Sequence, residues 1–368
     1  MKYQHSEKDD TIIEFIVSAI NDHLDEWYGD PSGLKVMAPD IITYTNCFIL
    51  RFPLSRPNME IKNILVKIRR RPNMTSLNQA ILKTEIHAKI PAEYHDLLSL
   101  YQFFKNCNDP LGAIRPLIYL ENHFAVVMEE FKSQNLQELF MDWKTILGFK
   151  KNIHDLLHAA QLTGQLLNVF HTQVHQCHEI ENPFQPIMQE VLALFEHLQN
   201  ASWQKVLVNP ARSKFVQKIN TLRSRKVIYS NTHGDMTSNN VLYSKENKVC
   251  LIDIKTKHAP IFSDIGLILI HPDTFMPQIF SFGHFFPRKT IQAYRAAILT
   301  GYFGDQMIDA DLLNLYCAIK MLDKWVMYEA IMSRSNGLKK IRARLAAPLL
   351  RAYFQTGVIK YLDAIKVP

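Results

Sequence analysis

The segment His233-Gly234-Asp235-Met236-Thr237-Ser238-Asn239-Asn240-Val241-Leu242, followed soon by Leu251-Ile252-Asp253, decides the reading of this chain. Asp235 is followed five residues later by Asn240, so one loop carries a carboxylate and an amide oxygen. A carboxylate of this kind can take a proton from a reacting hydroxyl, and carboxylate and amide oxygens are ligands for hard cations. Leu242-Tyr243 and Val249-Cys250-Leu251-Ile252 are strand-like, with Ser244 to Lys248 as the turn between them. That hairpin delivers a second carboxylate, Asp253, in an apolar frame.

A His-Gly-Asp alone reads as a chance β-turn. Joined to the Asn, the strand pair and the second Asp, it resembles the catalytic and metal-binding signature of the aminoglycoside phosphotransferase family and related small-molecule kinases. The resemblance implies an α+β, bilobal protein-kinase-like fold, with a small β-rich N-lobe and a larger, mostly helical C-lobe. It implies ATP-dependent transfer of a γ-phosphate to a hydroxyl, with Mg²⁺ beside the triphosphate. By the same resemblance Asp235 is the catalytic base, and Asn240 and Asp253 hold Mg²⁺. Asp264, in Ser263-Asp264-Ile265-Gly266, matches the structural aspartate behind the catalytic loop.

Upstream, Lys67 lies in Ile64-Leu65-Val66-Lys67-Ile68, an apolar strand with one inward lysine. Alone it reads as a solvent-facing strand lysine; ahead of the Asp-Asn-Asp set it reads as the lysine that reaches the α- and β-phosphates. Its helix partner is Glu93, in a stretch that resembles the family's Glu-Tyr-x-x-Leu helix, or Glu85; spacing leaves both open. Ala125 to Phe131 resembles the strand entering the inter-lobe hinge, where backbone groups from Glu129 to Phe131 would read adenine. No G-x-G-x-x-G lies near the first strand. Thr43-Tyr44-Thr45-Asn46 occupies that turn, and Asn46 is the candidate phosphate contact. The motifs span about residue 40 to residue 270; the remainder matches only in helical character.

The surrounding pattern agrees with two lobes. Ile12, Ile16, Ile20, Leu24 and Trp27 recur at helical spacing. Strand-like runs follow at Cys47 to Leu54 and Asn63 to Ile68. Pro91 suits the first turn of a helix. Pro116 to Leu120 and His123 to Met128 form another strand pair. From Leu136 to Arg223 the pattern is helical, from Val227 to Ile254 β-like, and then helical again. The expected division is residues 1–130, a nucleotide-clamping lobe with a leading helix, and residues 131–368, a lobe with the catalytic loop, metal site and acceptor-binding helices. Gly164, inside a helical stretch, points to close helix packing.

Composition narrows the setting. The 368 residues carry 42 Lys and Arg against 35 Asp and Glu, a net charge of +7, which suits an anionic partner as well as plain solubility. Five cysteines, none in a C-x-x-C pair, read as reduced thiols of a cytoplasmic protein. The polar start does not read as a secretory signal, so none is expected, and the apolar run Ile265 to Ile270 is too short to span a bilayer. From His271 onward there are 13 Lys and Arg against 7 Asp and Glu. That balance disfavours a polycationic antibiotic and favours a neutral or anionic small molecule or glycan as hydroxyl acceptor. An aminoglycoside-modifying kinase and a nucleotide-binding pseudokinase with a regulatory role are the alternatives. Nucleic acid is not expected as a partner, because no recognisable module accompanies the charge.

Three further features have two readings each. Phe275 to Phe286 contains five phenylalanines, followed by Arg288 and Lys289. It is core packing, or an acceptor wall or peripheral membrane contact. His171, His175 and His178 are a zinc cluster or the Leu-His end of the helix ahead of the catalytic loop. Arg69 to Arg71 is a solvated turn or a phosphate contact.

Overall fold

The computed structural model describes residues 3–29, 33–56, 62–82, 90–105, 110–143, 153–175, 177–180, 183–200, 205–334 and 337–366. They fall into two compact units, Met1–Ser133 with Cys250–Ile254, and Gln134–Val249 with Lys255–Pro368. Helix and strand are mixed throughout, as the α+β reading expects.

The first unit opens with α1 (Glu7–Tyr28), followed by β1 (Lys35–Val36), β2 (Asp40–Thr43), β3 (Cys47–Ser55) and β4 (Lys62–Arg69). Then come α2 (Leu77–Ile81), α3 (Ile90–Phe104), β5 (Leu111–Ala113), β6 (Pro116–Leu120) and β7 (Ala125–Glu129). An antiparallel sheet runs in the order β1-β3-β4-β7-β6, with β2 also on β3. Its register explains the core. Phe48, Leu50 and Phe52 of β3 stand opposite Ile68, Val66 and Ile64 of β4, all fully buried on one face. Ile12, Ile16, Ile20, Leu24 and Trp27 of α1 join the same cluster. Burying each large side chain contributes about 1.5–3 kcal/mol, so this face holds helix and sheet together. Because side chains alternate along a strand, Lys67, opposite Ile49 and Val126, leaves from the other face.

In chain order the following elements are β8 (Ser133–Asn135), α4 (Leu136–Trp143), α5 (Ile153–Val169), β9 (His178–Glu179), α6 (Phe184–Asn200) and α7 (Lys205–Thr221). After these come β10 (Ile228–Thr232), β11 (Val241–Ser244), β12 (Val249–Leu251) and β13 (Lys257–Pro260). The chain ends in α8 (Phe262–Ile270), α9 (Met276–Phe280), α10 (Arg288–Phe303), α11 (Ala310–Ser333) and α12 (Gly337–Asp363). Within the second unit α5 and α10 pack at two glycines. A Cβ on Gly164 would collide with the Ile298 carbonyl and the Tyr302 nitrogen, and one on Gly301 with the Gln161 carbonyl. Close packing is thus the reason for Gly164.

The β-like stretch from Val227 divides into β10, a loop and the strands β11 and β12. β10 pairs antiparallel with β9 on one side and β13 on the other. The polar Lys257-His258-Ala259-Pro260 carries no strand signal of its own; pairing with Tyr229 to Thr232 makes it one. No helix among the described residues is long and apolar enough to cross a membrane.

Candidate functional site

In the first unit, β4, α3 and the segment Cys250–Ile254 converge on Lys67. Its side chain is 7 % exposed, and its ammonium donates to Glu93 Oε1 at 2.6 Å and to Asp253 Oδ1. Burial opposes the charge of Lys67, but the carboxylates of Asp253 and Glu93 outweigh it and hold the lysine protonated. Glu93 is buried at the start of α3 and also accepts from Arg69 Nη2 at 2.6 Å and Nε at 3.1 Å. Arg69 therefore leaves the solvated turn expected of it and locks the partner of Lys67. Arg70 is buried, bonded to the Met74 carbonyl and lying over the Phe48 ring at 4.9 Å. Glu85 lies outside the described residues. Asp253 has φ +57°, a left-handed conformation uncommon for a residue with a Cβ. Cys47 lies nearby, and burial pushes its thiol up to about 11.

The other expected residues of this unit sit elsewhere on it. Asn46 is exposed at the turn into β3, and its carbonyl accepts from Arg70 N–H at 2.9 Å. The Glu129 carboxylate accepts from Arg115 at 3.1 Å, and the Phe131 carbonyl accepts from Ser133 Oγ at 2.9 Å. Neither Glu129 nor Phe131 has a bond to Lys67 among those described.

In the second unit the catalytic-loop candidate is fixed from behind. Asp264 is buried at the start of α8 and accepts from His233 N–H at 2.5 Å and Gly234 N–H at 3.1 Å. Burial opposes its ionisation, yet the hydrogen bond and charge of His171, with those of His233, hold its carboxyl below the usual range. His171 bonds Asp264 Oδ2 at 3.1 Å and Tyr302 Oη at 2.9 Å, so this histidine belongs to the support of the loop. Gly234 has φ +78°, and a Cβ there would strike the Lys255 carbonyl; only glycine suits the turn. Asn240 Nδ2 donates to the Asp235 carbonyl at 2.7 Å, which tightens the loop and leaves Oδ1 as the amide atom able to meet a cation.

Three residues around this loop were not singled out in the sequence. Lys255 Nζ meets Asp235 Oδ2 at 2.5 Å. Lys324, on α11, senses the charge of Asp235, while burial holds its ammonium below the ordinary lysine value. His271 Nδ1 accepts from Ser238 N–H at 3.2 Å and lies 2.5 Å from Ser238 Oγ. Burial, with the charge of Lys324, pushes His271 down to about 3, so its imidazole is neutral, as accepting an N–H requires. The Lys at the second position after Asp253 was the one readable signal; the others depend on residues far apart in the chain.

The aromatic stretch divides. Phe275 and Phe286 are buried against Phe140, whereas Phe280 and Phe282 stay half-exposed. Of the tail cations, Arg295 is paired with Asp273, and Arg351 with Glu329 at 2.6 Å, so these two serve packing. The side chains of Lys339, Lys340, Arg342 and Arg344 lie outside the described residues.

No family model and no curated protein matches the sequence. Solved structures do match. A glucosamine kinase, in complex with glucosamine, ADP and inorganic phosphate, superposes with a TM-score of 0.54 at 12% identity, over 97% of this chain and 86% of that one. The chain shares its fold with that structure. A choline kinase from Streptococcus pneumoniae shares this kinase fold, with a TM-score of 0.51 at 11% identity over 95% of this chain and 99% of the other. A type I macrolide 2'-phosphotransferase does so at 0.51 and 12%, over 97% and 98%. All belong to the aminoglycoside-phosphotransferase-like, protein-kinase-like group that the catalytic-loop signature resembles. At such identity the kinase fold is what is shared; chemistry has to be argued from the residues.

Proposed function

We propose that the chain is an ATP- and Mg²⁺-dependent phosphotransferase acting on a hydroxyl of a small molecule or glycan, with an anionic acceptor. The observation that carries this reading is buried Lys67 held between Glu93 and Asp253, three residues from a strand, a helix and the end of a hairpin. A lysine so buried and doubly paired is a fixed positive charge, which a triphosphate needs. The first unit is then the nucleotide-clamping, β-rich lobe, and the second the mostly helical lobe that carries the base.

Bound ATP would supply the γ-phosphoryl group to the acceptor oxygen, with ADP as the leaving group, and Mg²⁺ would neutralise the developing charge. Asp253 and Asn240 would hold the cation, Lys67 the α- and β-phosphates, and backbone groups from Glu129 to Phe131 the adenine. Asp235 takes the proton of the acceptor hydroxyl. Asp264 holds the loop by its backbone, and Asn240 holds the Asp235 carbonyl.

The acceptor class rests on Lys255 and Lys324. Lys255 is paired with Asp235, and the charge of Lys324 interacts with the same carboxylate, so a polyamine brought there would be repelled. A phosphorylated or carboxylated hydroxyl compound would be attracted. Steady-state assays with a cationic, a neutral and an anionic sugar at two salt concentrations test this. Turnover is expected for the anionic sugar, with a KM that rises with salt. Efficient turnover of a kanamycin-type aminoglycoside would overturn the charge argument; a salt-insensitive KM for the neutral sugar would shift the reading to a neutral acceptor.

A further inference from the structure

Apart from the catalytic loop, the second unit contains a cavity of about 560 Å³ between α10, α12 and the segment from Asp273 to Pro287. That volume lies within the range of small-molecule sites. Neither Asp235 nor Asn240 lines it.

Its walls are built rather than incidental. Gln278 is buried and donates Nε2–H to the Gly283 carbonyl at 2.9 Å, while its Oε1 accepts from Phe286 N–H at 2.8 Å. One amide thus pins the turn through Phe282 and Gly283, both at positive φ, as a fixed rim. On the opposite side Tyr353 of α12 donates to the Asp273 carbonyl at 2.8 Å. Gly357 brings α12 close to Met321, since a Cβ there would press on the Met321 side chain.

The lining sorts into an apolar body and a positive edge. Phe286, Ile291 and Met321 are buried hydrophobic walls. The cations are Arg288, Arg295 and Lys360; the carboxylate is Asp273. Asp273 is already matched by Arg295, whose guanidinium also donates to Tyr361 Oη at 2.7 Å and to the Leu269 carbonyl at 3.0 Å. Arg288 and Lys360, both exposed at the lining, therefore leave the cavity with excess positive charge.

We propose that this cavity is a binding site, separate from the phosphoryl-transfer site, for a small organic anion with an apolar body, such as a phosphate monoester bearing an alkyl chain. The apolar part fills the space along Phe286, Ile291 and Met321, and the anionic head meets Arg288 and Lys360. The proposal holds whether or not the chain transfers phosphate. The floor of the cavity and the catalytic loop share one short turn: Asp273 lines the cavity, and His271, two residues before it, holds Ser238.

Isothermal titration at low ionic strength with octyl phosphate, octyl glucoside and inorganic phosphate tests both halves of the requirement. Octyl phosphate is expected to bind saturably at one site, with a Kd below about 1 mM, and the other two at least about tenfold more weakly. Arg288→Ala combined with Lys360→Ala should weaken octyl phosphate about tenfold or more, since both side chains are exposed and their removal leaves the core intact. Thr356→Trp, an exposed α12 position that lines the cavity, should block it. Circular dichroism melts confirm that both variants fold. Absence of saturable octyl phosphate binding would overturn the proposal, as would equal affinity for octyl glucoside or undiminished binding in both variants.

Discussion

Asp235 can act on a hydroxyl only if its carboxylate is aimed, and its aim comes from neighbours more than from its own bonds. Asp264 grips the two preceding backbone N–H groups, Asn240 grips its carbonyl, and Lys255 meets its side chain. Asp235→Asn keeps this frame and removes the basic atom. Turnover should fall by about 10²-fold or more, with nucleotide affinity unchanged; wild-type turnover in this variant would remove Asp235 from the role of base. His271 makes a separate, pH-dependent contribution. Its folded pKa of about 3 lies below the ordinary histidine value. Between those limits the unfolded chain binds a proton that the native chain refuses. Stability is therefore complete above about pH 6.5 and declines as pH falls, by up to about 1.4 kcal/mol per unit from this residue. Denaturation of the wild type and of His271→Asn from pH 7 to pH 4 should give a shallower decline in the variant; parallel profiles would contradict the neutral, loop-holding histidine. Lys67 and Asp264 could be singled out because each sits inside a local motif, whereas spacing left Glu93 and Glu85 both open as the partner of Lys67. His271, Lys324 and the Arg69–Glu93 bond were not, because each contact joins residues that no sequence pattern relates.

Among the elements, α1 and the α5–α10 pair show what periodicity can and cannot deliver. The apolar face of α1 was readable residue by residue, since burial against a sheet leaves a helical repeat in the sequence. Gly164 announced a close approach but not its partner, which is Gly301 on α10. Gly164→Ala should favour the isolated helix by up to about 1 kcal/mol. In the folded chain its methyl would strike the Ile298 carbonyl. A net loss of about 1–3 kcal/mol is therefore expected, read as a lower Tm. A raised Tm would show that the crossing has room to spare. β13 was illegible for the opposite reason: its strand state is imposed by β10, and its own residues do not favour it.

For the whole molecule, the kinase fold was legible because the catalytic-loop signature packs several chemical requirements into a short stretch, and the solved kinases match over nearly the full chain. For the acceptor the sequence offered only a charge balance. Total charge could not distinguish Arg295 and Arg351, which pair with Asp273 and Glu329, from Lys255, which pairs with Asp235, and Lys324, whose charge interacts with it. The phosphotransferase reading depends on nucleotide binding, and isothermal titration of Mg²⁺-ATP into the wild type, Lys67→Ala and Asp253→Ala measures it most directly. One-site binding by the wild type is expected, weakened about tenfold or more in each variant, as loss of a charged contact to phosphate or metal requires. No binding of Mg²⁺-ATP to the folded wild type, or equal affinity in all three proteins, would contradict it.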